Sequence, residues 1–141
     1  EGFREQYLTR TKLLQDVLEV LPSQPSKGLL VGYGLGYPDL DRHELHNLED
    51  ALTEKKLPLS YLYSIKERVG HSMAGSSMMS LLFGYWALKE KPLIKSELKE
   101  LKGYPHISTL QGQQDIRDIK WVLVDDTGWG SIDTAVLLLP G

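Results

Sequence analysis

An apolar strand, Leu59 to Ile65, runs into a lone lysine, Lys66, and five residues later Gly70-His71 opens a helix over about 72 to 89. That helix constrains the fold more than any other stretch. Its first turns are small (Ser72, Ala74, Gly75, Ser76, Ser77) and its later turns are bulky (Leu81, Leu82, Phe83, Tyr85, Trp86, Leu88). A helix apolar on nearly all sides is a buried helix, and it needs cover on more sides than this chain supplies. The small end permits close backbone approach, and Met73, Met78 and Met79 suit packing. Lys66 and His71 fall near the positive end of the helix, a place suited to a developing negative charge. Spacing alone favours a plainer account, a strand-to-helix turn with a solvated lysine and a capping histidine.

The rest of the chain supplies the layers. Phe3, Tyr7, Leu14, Leu18 and Leu21 recur at helical spacing, predicting an amphipathic helix over about 3 to 21 that Pro22 and Pro25 end. Leu29 to Val31 reads as a buried strand entering a glycine-rich turn, Gly32-Tyr33-Gly34-Leu35-Gly36-Tyr37-Pro38. A dinucleotide fingerprint would need glycine where Tyr37 stands, and no phosphate-loop lysine and serine follow. The glycines therefore predict close backbone approach at a strand end, with Tyr33 displayed. Asp39 or Asp41 is expected to cap a helix running to about Glu54. His43 and His46 with Glu44 lie on that helix, but a spacing of three lacks the pattern of a zinc-binding helix. A solvated face is expected, with no metal and no cofactor.

Residues 89 to 120 are polar, predicting a loose connection with a short helix over Ser96 to Lys102. Trp121 to Asp125 and Thr134 to Leu139 read as an antiparallel pair around a turn at Thr127 to Ser131. Strand and helix alternate up to about residue 90 and the chain closes on a hairpin, which predicts an α/β fold with a mixed sheet.

Composition bounds the function. The 141 residues suit one domain, 1–141, with a real core. The net charge is −3 with no basic block, so nucleic acid and anionic membranes are poor partners. The absence of cysteine removes disulfides and any thiolate nucleophile, and fits a reducing, cytoplasmic setting. The longest apolar run, Met78 to Leu88, is broken by Ser80 and Gly84 and is too short for a membrane span. The chain opens on a helix at Glu1 and stops at Pro140-Gly141 just after a strand, as expected of a piece of a larger protein.

Three separated segments together resemble the C-terminal half of a β-ketoacyl synthase, a condensing enzyme of the thiolase-like fold. The family's His-Gly-Thr-Gly-Thr-Pro turn reads here as Tyr33-Gly34-Leu35-Gly36-Tyr37-Pro38, with Asp41 and Glu44 at the matching offsets. Its Ser-x-Lys and following Gly-His read as Ser64-Ile65-Lys66 and Gly70-His71, leading into Ala74-Gly75. Its closing Gly-Phe-Gly-Gly turn reads as Gly128-Trp129-Gly130-Ser131, before Ala135 to Leu139.

The resemblance implies a chemistry. In ketosynthases a cysteine carries the acyl chain as a thioester, and two histidines stabilise the enolate oxygen formed as a malonyl thioester decarboxylates. By position, Lys66 and His71 match the lysine and the second histidine, and Tyr33 stands where the first histidine stands. Asp41 and Glu44 match structural acids. Trp129 matches the gate phenylalanine, flanked by Gly128 and Gly130. The cysteine belongs to the N-terminal half, which this chain lacks, so the chain alone cannot form the acyl-enzyme.

The leading expectation is the C-terminal half of a ketosynthase-like subunit in fatty-acid or polyketide elongation, degenerate in the manner of a chain-length factor because of Tyr33. The implied partners are an N-terminal half, a homodimer or a heterodimer with a ketosynthase, and an acyl carrier protein docking on basic residues such as Arg42, Lys55, Lys56 or Arg68. A working condensing enzyme with an altered site is the alternative. A non-catalytic scaffold on the same fold is a third reading, and a nucleotide-binding domain, drawn from the glycine turn, is a fourth.

Overall fold

The computed structural model describes residues 2–23, 26–34, 36–97, 99–110, 113–128 and 132–141. Helix α1 (Gly2–Leu18) precedes strand β1 (Gly28–Val31), helix α2 (Pro38–Glu54) and strand β2 (Ser60–Tyr63). A single helical turn α3 (Lys66–Val69) and a 3-10 turn (Met73–Gly75) lead to helix α4 (Ser76–Glu90). Strands β3 (Leu93–Lys95), β4 (Ile107–Thr109), β5 (Gln113–Asp115), β6 (Trp121–Gly128) and β7 (Ile132–Leu138) follow.

The main sheet has five strands in the order β4-β2-β1-β6-β7. All neighbours are parallel except β6 and β7. Leu30 pairs across to Leu62 on one side and Leu123 on the other. Alternation along each strand then divides the core into two. Leu30, Leu62 and Leu123 pack with Leu14 and Leu18 of α1 and Leu48 and Leu52 of α2. Leu29, Val31, Val122 and Val124 point the other way, towards Ala87 and Leu88 of α4. The sheet is thus covered by helices on both faces, as a parallel sheet requires. The mixed α/β fold read from the sequence is the fold observed.

Gly28 and Gly84 explain two close approaches. A Cβ on Gly28 would fall inside the ring of Trp121, which is fully buried and donates its indole N–H to Ser26 O at 2.9 Å. A Cβ on Gly84 would lie 3.1 Å from both Val122 and Val124, so glycine lets α4 sit down on β6.

Several expectations need correction. The second strand ends at Tyr63, because Ile65 already has helical backbone and Lys66 opens α3. The long helix starts at Ser76, not about 72: Gly70 and Met73 take positive φ (71° and 50°), and the chain makes a 3-10 turn first. Neither Asp39 nor Asp41 caps α2. Tyr37 is its N-cap without a side-chain bond, Pro38 begins the helix, and the two acids sit in its first turn. No helix occurs over 96–102 among the described residues. The supposed loose connection instead holds β3 and β5, which pair antiparallel, and β4, which extends the main sheet beside β2. The strand expected to end at Asp125 continues to Gly128, which pairs with Ile132.

Helix α4 is not buried all round within this chain. Ser80, Gly84, Ala87 and Leu88 face the sheet, whereas Met78, Leu82, Tyr85 and Trp86 are exposed, Leu82 by 61%. Among the described residues no helix is long and apolar enough to cross a membrane.

Candidate functional site

The site lies at the carboxyl ends of β1, β2 and β6. The chain leaves β1 for β2 on one side and later returns to β6 on the other, so these ends flank a crevice of the kind that binds ligands in α/β sheets.

Tyr33 follows β1 after a single residue, Gly32. Its backbone N–H donates to Glu44 Oε1 at 2.5 Å, and the N–H of Gly34 donates to Glu44 Oε2 at 2.9 Å. Both oxygens of one carboxylate thus hold the turn. Gly32 allows it, since a Cβ there would lie 2.9 Å from Glu44 Oε1 and 3.1 Å from Leu62. Gly34 has φ 31° and would meet Ser64. The carbonyl of Tyr33 accepts from Lys66 Nζ at 2.5 Å, and the same ammonium lies 4.0 Å from the centre of the Tyr33 ring. His71 meets that ring edge-on, with ring centres 6.0 Å apart at 78°. His71 is in turn oriented by Ser76, the first residue of α4, with Nδ1 and Oγ 3.0 Å apart. The Ser76 hydroxyl also accepts the N–H of Ser72 at 3.0 Å.

Lys66, His71, Asp41 and Glu44 line a cavity of about 480 Å³, with Ser64, Glu67 and Lys99. Tyr33 lines a smaller cavity of about 90 Å³, with Arg10, Asp41 and Glu44 among its walls.

A buried charge cluster lies behind Tyr33. Arg10 of α1 bonds Asp125 of β6 at 2.6 Å, lies 4.0 Å from Glu44 and 3.8 Å from Asp133 of β7, and donates to Thr127. Asp126 accepts from Ser77 of α4 and from the Thr127 N–H. Burial raises the Glu44 carboxyl to about 7, and Asp125 adds to the rise, against the opposing pull of Arg10 and the two N–H bonds. Burial likewise raises Asp125 despite Arg10. Burial disfavours the Arg10 charge, yet Asp125, Glu44 and Asp133 outweigh it and its pKa is raised. Lys66 is lowered by burial, in part offset by Asp126, Glu44, Asp125 and Asp41. Burial first, then Asp126 and Glu44, raise the Tyr33 phenol.

Of the residues singled out from the sequence, Tyr33, Lys66, His71, Glu44 and Asp41 come together here. Trp129 and Gly130 lie outside the described residues, and Gly128 closes β6. His43 and His46 stay on the exposed face of α2, where His46 Nδ1 lies 2.7 Å from Arg42 O. Among the described residues no cluster of metal-ligating side chains occurs. Sequence reasoning missed the roles of Arg10, Asp125, Asp126, Ser76 and Ser77. A signal existed: Arg10 shares the four-residue stripe of Leu14 and Leu18, and Asp125-Asp126 follow directly on an apolar strand.

Comparison with known proteins supports the same architecture. Residues 9–96 match the family described as "Beta-ketoacyl synthase, C-terminal domain". The fold is similar to the oxazolomycin ketosynthase domain OzmH KS7 of Streptomyces albus JA3453, with 18% identity and a TM-score of 0.81 over 96% of this chain and 26% of that one. It is also similar to the ketosynthase from module 1 of the bacillaene synthase of Bacillus amyloliquefaciens FZB42, with 15% identity and a TM-score of 0.78 over 93% of this chain and 25% of that one. The ketosynthase FabY of P. aeruginosa aligns with 17% identity and a TM-score of 0.73, over 95% of this chain and 22% of that one. This chain therefore spans about a quarter of the length of these structures. No curated protein matches it by sequence.

Proposed function

This chain belongs to the family of β-ketoacyl synthase C-terminal domains, and we propose that it is the C-terminal part of a ketosynthase-like subunit of fatty-acid or polyketide elongation, acting as a degenerate, chain-length-factor-like partner of an active ketosynthase. An N-terminal half completes its fold, and an acyl carrier protein delivers the chain. The exposed apolar face of α4 supports the first of these, since a monomeric protein rarely leaves such a helix face to water.

One observation carries the degenerate reading. The Lys66 ammonium is bonded to the Tyr33 carbonyl and lies over the Tyr33 ring. The cation that the family resemblance assigns to the second histidine is thus engaged by the residue that replaces the first. The surrounding charge agrees: Asp126, Glu44, Asp125 and Asp41 all act on Lys66, and carboxylates disfavour a developing enolate.

In the assembled protein, His71→Ala should leave acyl transfer by the active partner unchanged. A collapse of condensation in that variant ends the accessory reading. The alternative, a working enzyme with an altered site, draws on the edge-on approach of Tyr33 to His71. It requires a thioester on the cysteine-bearing half after incubation with acyl-loaded carrier protein.

A further inference from the structure

We infer that Arg10 is a positioning residue for Tyr33, acting through Glu44, so that a salt-bridged arginine on the outer helix α1 decides whether the Tyr33 turn is held. This goes beyond the ketosynthase reading, because it concerns how Tyr33 is fixed whatever reaction the site serves.

Glu44 uses both carboxylate oxygens, one for each N–H of Tyr33 and Gly34. A protonated carboxyl turns one of those oxygens into a hydroxyl donor and gives up one of the two bonds. The turn is therefore fully held only while Glu44 is ionised. Ionisation is opposed by burial and by Asp125, and Lys66, over Tyr33, is the other cation acting on Glu44. Arg10 is the nearer cation on the far side, reaching Glu44 at 4.0 Å.

The groups facing this carboxylate can be named element by element. From α1 comes Arg10, from β6 Asp125 with Asp126 beside it, and from β7 Asp133 against Arg10. From α3 come Lys66 and Glu67, from the turn after β1 Tyr33, from the turn before α4 His71, from the segment after β3 Lys99 and Glu100, from α1 also Tyr7, and from α2 itself His43 and Asp41, the last lining both cavities with Glu44. Carboxylates outnumber cations in this set, so loss of Arg10 leaves Glu44 among like charges. Among the described residues Arg10 Nε and Asp125 Oδ1 are buried without a hydrogen-bond partner, while Thr127 Oγ1, which accepts from Arg10, donates on to Asp133 at 2.9 Å.

The test follows the Tyr33 environment rather than catalysis. In the complete protein that carries this chain, tyrosine is replaced by 3-fluorotyrosine, and the Tyr33 fluorine resonance is assigned with Tyr33→Phe and titrated with pH. The wild type should show a transition as Glu44 ionises. Arg10→Met should move its midpoint upward by about 1 pH unit or more, the shift expected on losing an opposite charge at this distance. Arg10→Lys should restore the midpoint towards wild type. Glu44→Gln should abolish the transition. Should Arg10→Met fail to fold, the Arg10→Met/Asp125→Asn pair removes both charges of the bridge, and its midpoint should lie above that of Asp125→Asn alone, since Asp125 itself raises Glu44. An unmoved midpoint in the folded Arg10 variants, or a transition that survives in Glu44→Gln, overturns the proposal. Loss of condensation in any of these proteins bears on the proposed function alone.

Discussion

Tyr33 is gripped at both ends of its own backbone, its N–H by Glu44 and its carbonyl by Lys66. Tyr33→Phe keeps the grip and the cation over the ring but removes the hydroxyl donor. Under the accessory reading, condensation by the assembled complex should not change. A working enzyme would lose about a hundredfold, the effect of deleting one oxyanion donor, and steady-state turnover distinguishes the two. Glu44 has a second consequence at this scale. Its carboxyl rises from 4.5 to about 7 on folding, because of burial and then Asp125. A carboxyl raised on folding contributes stability that is complete below the unfolded value and is lost as pH climbs through the folded one. The wild type should therefore lose stability relative to Glu44→Gln between pH 4.5 and about 7, measured by urea denaturation at stepped pH. A difference that stays flat across that window would remove Glu44 as the titrating group. The ionised form that clamps Tyr33 is the form that costs stability, and Arg10 limits that cost.

At the scale of elements, two glycines set the distances on which the site depends. Gly28 admits the fully buried Trp121 ring against β1, which brings β6 and its acidic end beside Tyr33. Gly28→Ala should destabilise the protein by about 3 kcal/mol, read from the denaturation midpoint, because ring and strand must both move. A cost below about 0.5 kcal/mol, the range of a surface change, would mean that the ring repacks freely. The elements also mark where local reading stops. Helix α1 announces itself by the helical spacing of its apolar residues, and strands β1, β6 and β7 by short apolar runs bounded by turn residues. Strand β4 does not. Ile107 to Thr109 is three residues long, and it becomes a strand only because β2 offers it an edge. The start of α4 was misplaced for a similar reason. The small residues from Ser72 onward fit a helix locally, but the chain must first turn through Gly70 and Met73 to reach the far face of the sheet.

For the molecule as a whole, the exposed side of α4 is the feature that demands a neighbour. Leu82 is 61% exposed within this chain. A charge placed there should be nearly neutral if the face meets water, and costly if another half covers it. In the complete protein, Leu82→Glu should cost about 3 kcal/mol, the scale of an uncompensated buried charge. An unchanged thermal midpoint would show the face open to solvent and end the argument for a covering half. Native mass spectrometry of the purified assembly would then identify what lies on it, and whether that partner carries a cysteine.

Taken alone, the sequence determined the layers and the mixed sheet with its closing antiparallel pair, while Tyr33, Lys66, His71, Asp41 and Glu44 were grouped by the resemblance of separated motifs to a known family. These were legible because alternation, helical spacing and the order of short motifs are local properties, carried by neighbours in the chain. The tertiary structure alone decided that Arg10, on the first helix, closes the site from behind, more than a hundred residues before its partner Asp125. It also decided which cation Tyr33 takes and which side of α4 is left bare. Each of these depends on which side chains meet across the sheet, and no spacing along the chain encodes the distance between two elements that touch only after folding.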